Sequence, residues 1–370
     1  MTSLREISLR HSRWFLQRLM NLSERFGEHS IKSDECLGEM SRIWGQTQAG
    51  QSWASEHCQT DAAAAFLASG YAALCADTGT SLLEIHQTQP LRAAWLEAGA
   101  TACSAIGDQS GEAIHQYNQG LVLLAMRRTG EGILCIKKAQ RAFCKLGDAA
   151  AESAALNGLG IACTAMRKHR QAIRYHWRAL RIAEASDNKH DEAVTLEFLG
   201  SAYHAAGKRE QAIKFLTEAV EELRGQGNQR SEANAVVKLA TVYIDEGDME
   251  AARRLSREAV SLIRDTNLGA DASLLQSRIA MLLLQIDDSE IDEILAGALD
   301  DSRTENNRLA EAMMLLVSSV VMAKQARHSD ARRACEEASE IFRSVDFPPG
   351  EELAHRMMCR HEDDAVTGRC

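Results

Sequence analysis

The side chains able to do chemistry are plentiful in this chain, but their spacing excludes most chemistry. Twelve histidines and ten cysteines are scattered along 370 residues. Only His57-Cys58 and Cys359-Arg360-His361 bring the two types close together, and neither has the spacing of a metal site. No glycine-rich loop ends in Lys-Ser/Thr to cradle a phosphate. No Gly-x-Ser-x-Gly turn presents a nucleophile, and no His-Glu-x-x-His helix offers zinc ligands. His361-Glu362-Asp363-Asp364 reads as a solvated charge run. His169, Arg170, Arg174, His176 and Arg178 form a basic stretch, read as a solvated face in preference to an anion site. The expectation is a protein that is not an enzyme and carries neither metal nor cofactor.

Composition narrows the partners. Net charge is −10, which argues against a general nucleic-acid binder, since phosphate binding needs a cationic face, though it leaves room for a local basic patch. Cys36, Cys58, Cys75, Cys103, Cys135, Cys144, Cys163, Cys335, Cys359 and Cys370 include no Cys-x-x-Cys pair, and several sit at helical packing positions. They read as free thiols in a reducing, cytoplasmic compartment. No run approaches the roughly 18 apolar residues of a membrane span. At the N-terminus Leu4, Ile7, His11, Trp14, Phe15, Leu19, Leu22 and Phe26 line one helical face with five arginines beside it. The reading is a first packed helix, with an organellar import signal or membrane-surface helix as the minor alternative.

The elements that position these residues are written in a period. Gly120, Gly160, Gly200, Ala240 and Ala280 stand 40 residues apart, with Ser319 one step short. Three residues beyond come Cys163, Tyr203, Tyr243 and Leu283; twelve beyond, Ala172, Ala212 and Ala252; nineteen beyond, Ala139, Ala179, Ala219 and Ala259. Apolar residues at three and four, as in Leu196, Leu199 and Tyr203, are helical. The small residues mark places where two helices approach closely. Asp108, Asp148, Asn188 and Asn228 keep the same period, each followed four residues later by a glutamate, as helix starts require. Gly207 and Gly247 stand where one helix of a unit ends before the next begins. The three prolines, Pro90, Pro348 and Pro349, leave 91–347 unbroken.

Leu159-Gly160, Cys163, Ala172 and Ala179, and again Leu199-Gly200, Tyr203, Ala212 and Ala219, resemble the tetratricopeptide repeat. The period resembles its longer-helix subtype, found in kinesin light chains, in Leu-Gly-Asn polarity adaptors and in sensor arms of bacterial signalling ATPases. The resemblance is strong over roughly 110–265 and recognisable to 345; the unit around Ala280 departs from it and is expected to pack less regularly. The fold implied is an all-α, right-handed α-solenoid of stacked helix hairpins. The organisation expected is an N-terminal helical section over 1–60, a solenoid over 61–347 with an insertion near 81–90, and a short helix and tail over 348–370.

The resemblance also implies where a partner sits. In such solenoids the first helix of each unit lines an inner groove. The residues falling there are Tyr117 and Leu121; Asn157 and Thr164; Glu197, Ser201 and His204; Lys238, Thr241 and Asp245; and Met281. Asn157 stands where the subtype uses asparagine to hold a peptide main chain, but its companion is Gly158, and Glu197 and Val237 replace it in the next units. The reading is a groove for a peptide or helix of a partner protein, in an adaptor or regulator. The alternatives are a peptide-responsive regulator of Rap-like layout, or a sensor arm for a separately encoded ATPase.

Overall fold

The repeated Asp and Asn residues act as helix starters. The side chains of Asp108, Asp148, Asn188 and Asn228 accept hydrogen bonds from the backbone N–H groups of Gly111, Ala151, Asp191 and Ser231. Each thereby satisfies a donor that has no partner inside the helix. Helices end on residues in the left-handed region, at Gly107, Gly147 and Gly247 with φ of 77°, 72° and 83°. The same register places Arg127, Arg167 and Asp187 in that region, at φ of 62°, 59° and 51°, where a Cβ is strained.

This is a computed structural model describing residues 3–27, 33–75, 83, 87–264, 282, 291–304, 308–344 and 348–367. Among the described residues there are sixteen helices and no strand. The first four are α1 (Leu4–Gly27), α2 (Ser33–His57), α3 (Ala62–Ala73) and α4 (Gln89–Ile106). Then come α5 (Gln109–Ala125), α6 (Thr129–Leu146), α7 (Ala149–Ala165), α8 (His169–Ala185), α9 (Lys189–Ala205) and α10 (Arg209–Gly225). The last are α11 (Gln229–Glu246), α12 (Met249–Arg264), α13 (Ile291–Thr304), α14 (Arg308–Lys324), α15 (His328–Ser344) and α16 (Pro348–Thr367). Consecutive helices pack as neighbours, so the fold is an all-α solenoid of helix hairpins.

Two compact units emerge, Met1–Glu24 with Arg42–Glu222, and Arg25–Ser41 with Leu223–Cys370. In the first, each helix from α3 to α9 packs on the next, and the first helices of successive hairpins also meet, α5 with α7 and α7 with α9. The periodic glycines explain the closeness. A Cβ on Gly120 would stand 2.5 Å from Ile136 Cγ1 and 2.9 Å from the Gly132 carbonyl oxygen. On Gly200 it would stand 2.5 Å from Leu216 Cγ, and on Gly160 2.3 Å from the His176 ring. Each glycine thus receives a residue sixteen positions further on, and the second helix of every hairpin lies directly against the first.

Helix α1 packs through Ser12, Leu16, Leu19 and Leu22, all buried. The Ser12 hydroxyl donates to the Gly50 carbonyl at 2.9 Å, and the Tyr71 hydroxyl donates to the Ser12 carbonyl at 2.8 Å. Small residues on both helices permit that approach, and it turns part of the expected apolar face outward. Leu4, Ile7 and Trp14 are 84%, 52% and 56% exposed. In the core nearby, Trp95 stacks on Trp44 at 5.8 Å.

The second unit pairs α11 with α12 and runs α13 to α16 neighbour to neighbour. Two arginines tie it at equivalent places. Arg224 donates to Glu232 at 2.7 Å and also bonds Glu258; Arg303 donates to Glu311 at 2.7 Å and to Glu337 at 2.8 Å. The final helix runs twenty residues, longer than the short helix expected there. Half of 81–90, and residues 265–281 and 283–290 of the irregular unit around Ala280, lie outside the described residues.

Candidate functional site

Where the first helices meet, side chains of two kinds alternate with the helical period. Asn157 on α7 and Glu197 on α9 are 6% and 7% exposed, so both lie in the interior instead of lining the groove as expected. The cause is the neighbouring helix. Asn157 Nδ2 donates to Thr195 Oγ1 on α9 at 2.8 Å, and Asn157 Oδ1 lies 2.9 Å from His176 Nδ1 on α8. The His176 ring, 1% exposed, sits over Gly160 and stacks on Phe198 at 5.7 Å. One amide thus links three helices in a dry setting, where such bonds are strong and leaving them unmade is costly.

The position after Asn157 carries the same lesson. At Gly158 a Cβ would lie 3.3 Å from the Tyr117 ring and 3.6 Å from Leu121. Tyr117 and Leu121, both half-buried, lean on α7 where the subtype has its second asparagine. Burial pushes the Tyr117 phenol up to about 12, so it stays protonated and donates to the Ala154 carbonyl at 3.4 Å.

The accessible row is the other set. Ile161 is 40% exposed, and Thr164, Ser201 and His204 are half-buried. In the second unit Lys238 and Thr241 are half-buried on α11, and Asp245 is exposed. Thr164, Ser201 and Thr241 each donate their hydroxyl hydrogen to the carbonyl four residues back, at 3.1, 2.9 and 2.9 Å. Their oxygen lone pairs then remain as acceptors for a ligand N–H. Met281 lies outside the described residues.

The basic stretch on α8 divides. Arg170, Arg174 and Arg178 are exposed, whereas His176 is core. The signal for His176 was available in the sequence: it stands sixteen residues after Gly160, where the equivalent places hold Ile136 and Leu216. A polar residue in an apolar slot needs a partner, and Asn157 provides it.

The nearest approach to a nucleophile cluster is at Ser69. Its hydroxyl lies 3.1 Å from His115 Nε2 and 3.2 Å from Cys103 Sγ. Burial lowers the imidazole's pKa and raises the thiol's, and both groups are shut in at 3% and 0% exposure. The trio is an internal polar contact. None of the nine described cysteines is in a disulfide, and no group of three metal-ligating side chains occurs among the described residues. No described helix is long and apolar enough to cross a membrane.

Family comparison agrees with this geometry. Tetratricopeptide-repeat family models match residues 151–221 and 233–266, so those segments are tetratricopeptide repeats. No curated protein sequence matches the chain. Among solved structures, aspartyl phosphate phosphatase F from Bacillus subtilis is similar at 11% identity and TM-score 0.55, over 92% of this chain and 95% of that one. A Rap protein complexed with competence and sporulation factor is similar at 11% identity and TM-score 0.47, over 97% and 100%. A putative kinesin light chain from Podosopora anserina follows at 14% identity and TM-score 0.41, over 50% and 92%. At 11% identity the likeness to phosphatase F speaks for the fold alone.

Proposed function

We propose that this chain is a non-enzymatic interaction module of the cytoplasm, an adaptor or regulator that holds a peptide or helix of a partner protein along the first helices of its repeats. The observation that carries the reading is the row Ile161, Thr164, Ser201 and His204. It offers an apolar contact, hydroxyl acceptors and an imidazole on two helices that touch one another. An extended or helical segment meets such a surface with its backbone and one or two side chains. Lys238, Thr241 and Asp245 would supply the same service in the second unit. Asn157 and Glu197 would act from behind, by fixing the helices that carry the row.

The test is affinity purification from the native host, comparing the wild-type chain with an Ile161→Asp/His204→Asp variant that keeps its helical circular dichroism. Loss of the captured partner from the variant supports the reading. An unchanged partner set sinks it.

A second reading is a peptide-responsive regulator. It is favoured by the fold-level likeness to aspartyl phosphate phosphatase F over 92% of the chain. Small-angle scattering separates the two: a regulator of this kind compacts on adding its peptide, and a static adaptor keeps its dimensions.

A further inference from the structure

The residues from 127 to 185 carry twelve Lys and Arg against four Asp and Glu, in a chain whose net charge is −10. Eight of the twelve project from two helices. Lys137, Lys138, Arg141 and Lys145 are exposed on α6, and Arg170, Arg174, Arg178 and Arg181 are exposed on α8. These are the second helices of consecutive hairpins. Lys138 and Arg178, like Arg141 and Arg181, are one 40-residue period apart and therefore occupy equivalent places on the same outer side of the first unit. None of the eight forms a salt bridge with a described carboxylate.

Within 127–185 the acids are already committed or lie at the edge, and Glu97 on α4 is within electrostatic reach of Arg128 and Cys135, near the start of α6. Glu131 pairs with Arg128 at 2.6 Å, Glu152 accepts from Gln140, and Asp148 caps α7. Glu184 stands alone at the end of α8. Elsewhere in this protein exposed arginines find glutamates, as Arg224, Arg303 and Arg343 do. Eight cations left without carboxylates is therefore a local departure from the chain's own habit, and it costs mutual repulsion unless an anion lies over them.

We propose that the outer ridge of α6 and α8 binds the phosphate backbone of a nucleic-acid duplex, without reading its sequence. Along α8 the guanidinium groups recur every three or four residues, a step of about 5–6 Å, and span about 16 Å from Arg170 to Arg181. That array suits a periodic polyanion: each strand presents a phosphate every ~3.4 Å of axis, so the ~16 Å row lies along several phosphates without a one-to-one register. Arginine's planar fork suits phosphate oxygens. A lipid surface fits less well, because stable interfacial binding needs apolar side chains to enter it. The exposed face of α8 has none, and α6 offers only Leu134 and, at its last residue, Leu146. The ridge is separate from the row assigned above to a partner segment, so either assignment stands without the other.

The test uses the full-length chain and a fluorescein-labelled mixed-sequence DNA duplex, with anisotropy read at about 50 mM and about 200 mM salt. The result expected is micromolar binding at low salt. An Arg170→Gln/Arg174→Gln/Arg178→Gln/Arg181→Gln variant should weaken it about tenfold or more, and should reduce the slope of log K against log salt by roughly 3. A Lys137→Gln/Lys138→Gln/Arg141→Gln/Lys145→Gln variant gives an independent second loss. Arg10→Gln/Arg13→Gln, compared with Arg174→Gln/Arg178→Gln, removes equal charge elsewhere and should change binding less than about twofold. The proposal is overturned by no binding at low salt, or by binding that survives both ridge variants. It is equally overturned if polyglutamate competes as well as DNA charge for charge, or if only anionic vesicles are bound.

Discussion

Replacing Gly120 with alanine sets two well-measured effects against each other. Alanine is the better helix former by about 1 kcal/mol, so in open space the change stabilises. At Gly120 the space is taken. The new methyl would meet Ile136 Cγ1 at 2.5 Å, the Gly132 carbonyl oxygen at 2.9 Å and the Ile136 backbone nitrogen at 3.2 Å. Two of these are main chain, so no rotamer change relieves them and α6 must move away by about half an ångström. Overpacking of this kind costs about 1–3 kcal/mol, with the upper half expected where backbone is involved. The net result is a loss of about 1–2 kcal/mol. Gly45, in α2 with nothing within 4 Å of its notional Cβ, is the internal control, and there alanine should gain about 0.5–1 kcal/mol. Urea denaturation followed by circular dichroism separates the two variants by midpoint, and amide exchange locates the loosening in α5 and α6. A Gly120→Ala protein whose midpoint rises together with that of Gly45→Ala would refute the close-approach account of the period.

Three further outcomes are expected. Asn157→Ala strips partners from two buried groups, Thr195 Oγ1 and His176 Nδ1, and should cost about 2–4 kcal/mol, read by denaturation midpoint; Asn157→Ser, which keeps one polar atom, should recover only part of it. Arg167→Gly relieves a left-handed residue at φ 59° and should stabilise by about 0.5–1 kcal/mol, visible as a raised Tm, and a lowered Tm would show that the Arg167 side chain contributes more than its strain costs. His115 has its pKa lowered below 6.5 by burial, so the unfolded state takes up a proton first as the medium is acidified. The stability it contributes is present above about pH 6.5 and is lost as pH falls toward the folded value; a His115→Gln variant should show a flatter stability profile across that window.

What was legible in the sequence follows from what a period can encode. A glycine at a helix crossing, an aspartate at a helix start and a glycine at a helix end each act within one hairpin, so a single repeat unit displays their cause. Gly120, Asp148 and Gly247 were readable on that account. The groove was harder, because a position's number in the repeat says which helix it belongs to but not what its neighbours have done with it. Asn157 occupies the slot of a peptide-holding asparagine, yet one substitution sixteen residues after Gly160, histidine for an aliphatic, turns its amide inward. Gly158 lost its asparagine where Tyr117 came to rest against α7. Charge misled in a different way. A net value of −10 averages over a chain whose acids and bases are segregated, and the segregation is visible only when cations are sorted by which helix face they leave and by whether a carboxylate meets them. Arg170, Arg174 and Arg178 form one stretch in the sequence, but His176 in their midst belongs to the core, while Lys138 and Arg141, a full period before Arg178 and Arg181, belong with the arginines. Function on a solenoid therefore lies in the positions where the period is broken or exceeded, since the period itself is already accounted for by packing.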